Sequence, residues 1–295
     1  MRVSSNIIAD VLDFCKKELT DIYGTDEAAS LTRILFEEYC GLNRTDLAFK
    51  KHECISESEL LLVYDAVKLL KQHHPIQYII GKSEFYGLNF FVNPAVLIPR
   101  PETEELVAQI LKEKLVSNAV NPLRILDIGT GSGCIAITLK STISNSTVTA
   151  IDISSDALKT AVENATQNNA AVNFERIDML NTQLMADLGN FDIIVSNPPY
   201  VRESEKKQMQ PNVTDHEPSV ALFVSDDDPL IFYRAIFDFA ASHLLSQGVL
   251  MVEINEYLGN ETMALAELTG SLTAKLIKDL SGKDRFVHCI RTYPC

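Results

Sequence analysis

"LRILDIGTGSGCIAITLK", residues 123–140, decides how this chain folds. "LRILDI" is a short, mostly apolar run of the kind that forms a buried strand. "DIGTGSG", Asp127 to Gly133, then sets glycines at alternate positions, where the backbone can turn sharply and come close to a ligand. "CIAITLK" continues as a helix whose first N–H groups have no partner within the helix. Strand, glycine turn and helix together open a layered α/β unit.

The same alternation runs on from residue 123. "TVTAIDI" is a strand and "SDALKTAVENATQ" a helix; "VNFERID" and "FDIIVS" are further strands. "PLIFYRAIFDFAASHLL" is a long helix before the strand "GVLMVEI". "TAKLIKDL" and "RFVHCIRTY" close the chain as two strands joined through "SGKD". Parallel strands with intervening helices, ending in a hairpin, predict a mixed seven-stranded sheet covered on both faces.

Upstream the texture differs. "NIIADVLDFCKKEL" places Ile7, Ile8, Val11, Leu12, Cys15 and Leu19 at helical spacings. Gly24 ends that helix, and Thr25 is expected to cap the next. Ser56 and Glu59 have capping-box spacing before "LLLVYDAVKLLKQ". Residues 1–74 are therefore expected to form a small helical bundle. From 75 to 102, "PIQYIIGKSEFYGLNFFVNPAVLIPRPE" alternates aromatic and β-branched residues around Gly81 and Gly87, which predicts a β-hairpin hinge. Residues 103–295 form the α/β domain.

Composition narrows the class. The 295 residues are 46% hydrophobic and 22% charged, ordinary for a globular protein, and no apolar run is long enough to span a membrane. The first residues lack the apolar core of a signal peptide, so a cytoplasmic location is expected. Six scattered cysteines without a C-x-x-C pair fit free thiols better than disulfides or zinc. Six dispersed histidines give no metal signature. A formal charge of −14 argues against tight direct binding of nucleic acid and favours a protein partner.

The glycine turn reads G-x-G-x-G and lacks the final spacing of a dinucleotide fingerprint. Asp152, closing the second strand of the alternating region, can accept both hydroxyls of a ribose. Asp178 and Met179, after the third, can flank an adenine with a carboxylate and a thioether; the plainer alternative is a helix cap and a core residue. With no phosphate-cradling lysine in view, the pattern suggests an adenosine, and S-adenosylmethionine fits best. "NPPY", Asn197 to Tyr200, ends the fourth strand, beside the first. Two prolines stop the ladder and stiffen the loop. In open α/β sheets ligands bind at such carboxyl ends. An sp² NH₂ group is a poor nucleophile because its lone pair is delocalised. The Asn197 oxygen and the Pro198 carbonyl can grip its two N–H bonds, with Pro199 fixing the loop and Tyr200 offering a ring face. A plain proline turn with a core tyrosine is the alternative.

With these motifs the chain resembles the PrmC (HemK) family of release factor glutamine methyltransferases. "PIQYIIG", "FYGLNFFVNPAVLIPRPETEEL", "DIGTGSGCIAI", "AIDIS", "SNPPYV", "HEPSVAL" and "SGKDRFV" carry the resemblance over nearly the whole length. It implies a Rossmann-like class I methyltransferase domain behind a helical domain that docks the substrate. The reaction implied is methyl transfer from S-adenosylmethionine to the side-chain N5 of the glutamine in the Gly-Gly-Gln motif of peptide-chain release factors. Gly129, Thr130, Gly131, Ser132, Gly133, Asp152, Asp178 and Met179 would hold the cofactor, and Asn197 would touch both cofactor and glutamine. Pro198, Pro199 and Tyr200 would complete the substrate loop. Arg100, Pro101 and Glu102 would line the entrance with Glu217; as isolated residues, Arg100 and Glu217 read equally as surface charges. No metal and no membrane are implied, and a monomer is expected. Two stretches depart from the family: "FVSDDDPLIFY" after "EPSVAL" lacks the usual paired glycines, and "NEYLG" follows "MVEI" where glycine and glutamine are usual. Both are expected to shape the rim away from Asn197. The alternatives are an N6-adenine methyltransferase acting on DNA or RNA, and a degenerate cofactor fold kept as a binding module.

Overall fold

The computed structural model describes residues 5–292. They divide into two compact units, one running to Gly81 and taking in Pro211–His216, the other comprising Lys82–Gln210 and the chain from Glu217.

The first unit contains α1 (Ile8–Tyr23), α2 (Thr25–Cys40), α3 (Arg44–Phe49), α4 (Glu57–Leu70) and α5 (Ile76–Ile80). Ile8, Val11, Cys15 and Leu19 of α1 pack against Leu31, Leu35 and Phe36 of α2 and Val63, Val67 and Leu70 of α4. The capping box of α4 is present: Ser56 Oγ accepts from Glu59 N at 3.2 Å and Glu59 Oε2 from Ser56 N at 2.6 Å. Thr25 does not cap α2. Gly24, at φ +77°, is itself the boundary residue between the two helices, so Thr25 already occupies the first helical position. Residues 76–80 are helical rather than part of the expected hairpin, and Ile76 is buried in the bundle core. The short helix α11 (Pro211–Thr214) also belongs to this unit, where the His216 ring rests 3.9 Å from that of His74. The chain from 103 onward is thus not one uninterrupted domain.

The second unit starts with the hairpin β1 (Lys82–Phe85) and β2 (Leu88–Phe91), followed by α6 (Pro101–Leu111) and α7 (Lys114–Ser117). The alternating region follows as β3 (Leu123–Ile128), α8 (Cys134–Thr142), β4 (Ser146–Asp152), α9 (Ser155–Gln167), β5 (Val172–Arg176), α10 (Thr182–Ala186) and β6 (Phe191–Ser196). The remainder comprises β7 (Val201–Arg202), a 3₁₀ turn (Glu203–Gln208), α12 (Ser219–Leu222), β8 (Phe223–Val224), α13 (Ile231–His243), β9 (Leu244–Glu253), α14 (Gly259–Glu267), β10 (Leu272–Lys278) and β11 (Asp284–Arg291). The strand expected to reach Tyr293 ends at Arg291; Tyr293 and Cys295 lie outside the described residues.

Among the described residues the main sheet has seven strands in the order β10-β11-β9-β6-β3-β4-β5, with β11 antiparallel to both neighbours. Ile193 and Val195 of β6 face a layer containing α6, α8 and the hairpin's Phe85 and Phe90; Ile194 faces α13 and α14. That two-residue period is what a strand buried on both sides requires. After β5 the chain crosses back past β3 to form β6, so the carboxyl ends of β3 and β6 flank the crevice where strand order reverses. No helix among the described residues is long and apolar enough to cross a membrane.

Candidate active site

The glycine turn forms one wall of this crevice. Gly129, Gly131 and Gly133 all have positive φ, at +75°, +55° and +81°. At Gly133 a side chain would crowd its neighbours: a Cβ would lie 2.8 Å from Ile137 Cδ1 and 3.2 Å from Ala161 Cβ. The turn is tied to β4, with Gly129 N and Thr130 N donating to Ile151 O at 2.9 and 3.0 Å. Asn164 secures it from α9: its Nδ2 donates to Ser132 O at 2.8 Å and Phe91 O at 3.0 Å, while its Oδ1 accepts from Phe91 N at 2.6 Å. Asp127 lies fully buried beneath, accepting from Thr130 Oγ1 at 2.6 Å. Burial pushes its carboxyl up to about 7, although Thr130 and the N–H of Ala136 in the first turn of α8 favour the charged form.

Asp152 closes β4 with Oδ1 accepting from Ser154 N at 2.8 Å and Oδ2 from Gly131 N at 2.9 Å. Burial raises its pKa against those two bonds. Each oxygen keeps a lone pair for another donor. Asp178 Oδ1 accepts from Leu180 N at 2.9 Å, and the Met179 methyl lies 3.4 Å from where a Cβ on Gly129 would stand. A cavity of about 210 Å³ brings together Arg100, Gly129, Thr130, Gly131, Ser132, Asp152, Asp178, Met179, Asn197 and Pro199. Gly133, Pro198, Tyr200, Pro101, Glu102 and Glu217 are not among its walls.

The "NPPY" loop leaves β6 at the other wall. Ser196 Oγ donates to Ile128 O at 2.7 Å, locking the ends of β6 and β3 together. Asn197 Nδ2 donates to Thr103 Oγ1 at 3.1 Å, and Thr103 Oγ1 donates to Glu253 Oε2 at 2.8 Å. Tyr200 does not turn its phenol to the cavity. Its hydroxyl donates to Glu253 Oε1 at 2.9 Å, because the buried carboxylate is the stronger acceptor. Burial, then the Glu253 charge, holds the Tyr200 pKa well above the phenol range. Burial also raises the Glu253 pKa, against the Thr103 and Tyr200 hydroxyls and the charge of Arg285. Tyr233 adds a bond to the Glu253 carbonyl at 3.0 Å.

The segment 10–81 matches the PrmC N-terminal domain and 105–216 the Methyltransferase small domain. The release factor glutamine methyltransferase of Flavobacterium psychrophilum is 46% identical over 91% of this chain and 94% of its own. That of Bacteroides thetaiotaomicron is 41% identical over 93% and 96%. The chain belongs to the release factor glutamine methyltransferase family.

A solved structure with this sheet, the Thermus thermophilus 16S rRNA N2 G1207 methyltransferase in complex with AdoMet and guanosine, is similar in fold alone. It is 18% identical with a TM-score of 0.51, over 72% of this chain and 50% of that one. In this family member Arg100 and Glu217 are partners rather than free surface charges. Arg100 Nη2 meets Glu217 Oε1 at 2.5 Å, and Glu217 Oε2 accepts from Ile98 N at 3.1 Å. Pro101 and Glu102 open α6, with Pro101 exposed and Thr103 on the buried side. The departure after "MVEI" is nearer the site than expected: Asn255 Nδ2 donates to Tyr200 O at 3.1 Å and Glu205 Oε2 at 2.9 Å. The other departure opens with β8 itself, which pairs with β7 directly after the tetrapeptide, Val201 opposite Phe223. Cys134 borders the cavity, but burial pushes its thiol up to about 12, far from a reactive thiolate.

Sequence reasoning missed Thr103, Glu253 and Asn164. Glu253 had a signal, a lone carboxylate in the apolar run "GVLMVEI"; Asn164 had another, an amide on the small-residue face Ala157, Ala161, Ala165. Thr103 reads only as an ordinary first-turn residue.

Proposed function

We propose that this chain transfers a methyl group from S-adenosylmethionine to the side-chain amide nitrogen of the glutamine in the Gly-Gly-Gln motif of peptide-chain release factors. The observation that carries this reading is the Asn197 carboxamide, held by its nitrogen end at the cavity wall. Its Oδ1 makes no hydrogen bond among the described residues.

The residues at the crevice fit the cofactor. Asp152 has lone pairs for the two ribose hydroxyls, and Gly129 and Gly131 expose backbone without a side chain. Asp178 Oδ2 can accept from an exocyclic amine beside Met179. When bound, S-adenosylmethionine supplies an electrophilic methyl on a sulfonium and leaves as a neutral thioether. The chain's own task is positioning. Asn197 Oδ1 and the Pro198 carbonyl accept the two N–H bonds of the primary amide, orienting the nitrogen and stabilising the positive charge that develops on it. Pro198 and Pro199 keep both acceptors in place, and the nitrogen releases one proton to solvent as the new bond completes. Tyr200 serves as the anchor of the loop through Glu253, and the Arg100–Glu217 pair as a fixed edge of the entrance. The net charge of −14 on the whole chain suits a protein substrate better than a polyanion.

The test is transfer from radiolabelled S-adenosylmethionine to four acceptors in parallel: a purified bacterial release factor, its Gly-Gly-Ala variant, bulk tRNA and duplex DNA. Label on the intact release factor alone supports the proposal. Label on nucleic acid alone overturns it in favour of an adenine methyltransferase. Cofactor binding without any transfer would favour a binding module.

A further inference from the structure

A carboxamide can face a substrate with either end, and nothing in Asn197 itself chooses. The choice is made two residues away. Glu253, 1% exposed at the end of β9, receives two hydroxyls, Tyr200 at 2.9 Å on Oε1 and Thr103 at 2.8 Å on Oε2. The Thr103 and Tyr200 hydroxyls and the nearby Arg285 charge favour the ionised form of Glu253 against its burial; in that form it accepts only, and a threonine hydroxyl carries a single hydrogen. With that hydrogen directed at Glu253, Thr103 Oγ1 can only accept from Asn197. Asn197 must therefore turn Nδ2 toward Thr103, as the 3.1 Å contact has it, which leaves Oδ1 for the cavity.

We infer that Thr103 and Glu253 are positioning residues, a polarity relay that holds the Asn197 amide with its acceptor oxygen toward the substrate. The inference rests on the proposed reading that Asn197 meets a primary amide. In the flipped orientation two NH₂ groups would confront each other, and the nitrogen to be methylated would lose one of its acceptors. The relay is built from separate elements: Thr103 in the first turn of α6, Asn197 after β6, and Glu253 on β9. β6 and β9 are paired in parallel, with Ser196 opposite Val252, so Asn197 and Glu253 follow at the same level of the sheet. Thr103 and Glu253 are 3% and 1% exposed, so the two links behind Asn197 are held within the fold.

The test compares Thr103→Val, Thr103→Ser and Glu253→Gln in the full chain, with release factor as substrate at saturating S-adenosylmethionine. Thr103→Val keeps the shape and removes the hydroxyl. Glu253→Gln keeps the shape and introduces a donor; with its NH₂ at Thr103 Oγ1, that hydroxyl is freed to donate to Asn197 Oδ1 instead. Both should lower kcat about ten- to hundredfold, with KM for the release factor within about threefold; Thr103→Ser should recover most of the loss. A second readout needs no turnover: the side-chain amide resonances of Asn197 in ¹⁵N-asparagine-labelled protein, assigned by their disappearance in Asn197→Asp. They should shift in Thr103→Val and in Glu253→Gln and stay near wild type in Thr103→Ser. Wild-type kcat and unmoved resonances in folded Thr103→Val would overturn the relay. If wild type methylates no release factor while the resonances respond as stated, the substrate reading fails and the relay stands. If Glu253→Gln does not fold, Thr103→Val and Thr103→Ser decide the matter at the other link.

Discussion

Replacing Asp127 with asparagine should stabilise the cofactor-free protein at alkaline pH and do much less at acid pH. The carboxyl is completely buried and is pushed up to about 7, so burial outweighs the Thr130 hydroxyl and the N-terminus of α8. In the unfolded chain an aspartate titrates near 4. Between those values the folded protein holds a proton that the unfolded chain has lost, so stability is fully present below about pH 4. It declines as pH rises through about 7 and is then constant. The full decline is at most about 4 kcal/mol, and about 3 kcal/mol of it falls between roughly pH 5 and pH 8. Asparagine keeps an oxygen to accept from Thr130 and carries no charge to bury. The assay is urea unfolding of wild type and Asp127→Asn at both pH values, which cancels the titration of groups not coupled to Asp127. The variant should gain about 3 kcal/mol on wild type between the two conditions. A difference that stays the same within about 0.5 kcal/mol would refute the claim that Asp127 is held uncharged by burial.

Four further substitutions follow from the same geometry. Gly133→Ala combines left-handed backbone with a Cβ 2.8 Å from Ile137, and should cost about 3 kcal/mol in urea unfolding. Gly131→Ala, also at positive φ but with no heavy atom within 4 Å of the new Cβ, should cost only about 1 kcal/mol. Asn164→Ala leaves the buried Ser132 carbonyl without its partner and removes two half-buried bonds to the Phe91 backbone, a loss of about 2–3 kcal/mol by the same measurement. Arg100→Ala leaves the Glu217 side chain, 1% exposed, with only the Ile98 N–H, and should lower stability by about 3 kcal/mol. Adding Glu217→Gln to that variant should restore part of it.

The sheet was legible because its strands are short apolar runs separated by helices with clear faces, and each run is closed by a residue that cannot continue it. The glycine turn and the two prolines after Asn197 are such punctuation, and both stand where the strand order reverses. Two local readings went astray for a common reason. "PIQYII" has strand-like composition, yet Ile76 is taken into the core of the helical unit, and tertiary burial overrides a weak local preference. Tyr200 is the second, expected to offer a ring face to the planar amine. Its actual partner, Glu253, lies 53 residues further along the chain. Thr103 escaped notice on the same ground, since its role depends on two residues 94 and 150 positions away. Chemistry carried by one segment shows in a sequence; chemistry assembled by side chains from three elements does not.

Tandem mass spectrometry of a release factor incubated with this chain and S-adenosylmethionine tests the central claim most directly. The account predicts one methyl group on the side-chain nitrogen of the glutamine in the Gly-Gly-Gln peptide, absent when Asn197→Ala replaces the wild-type chain. A methyl group on any other residue, or an unchanged yield with Asn197→Ala, would contradict it.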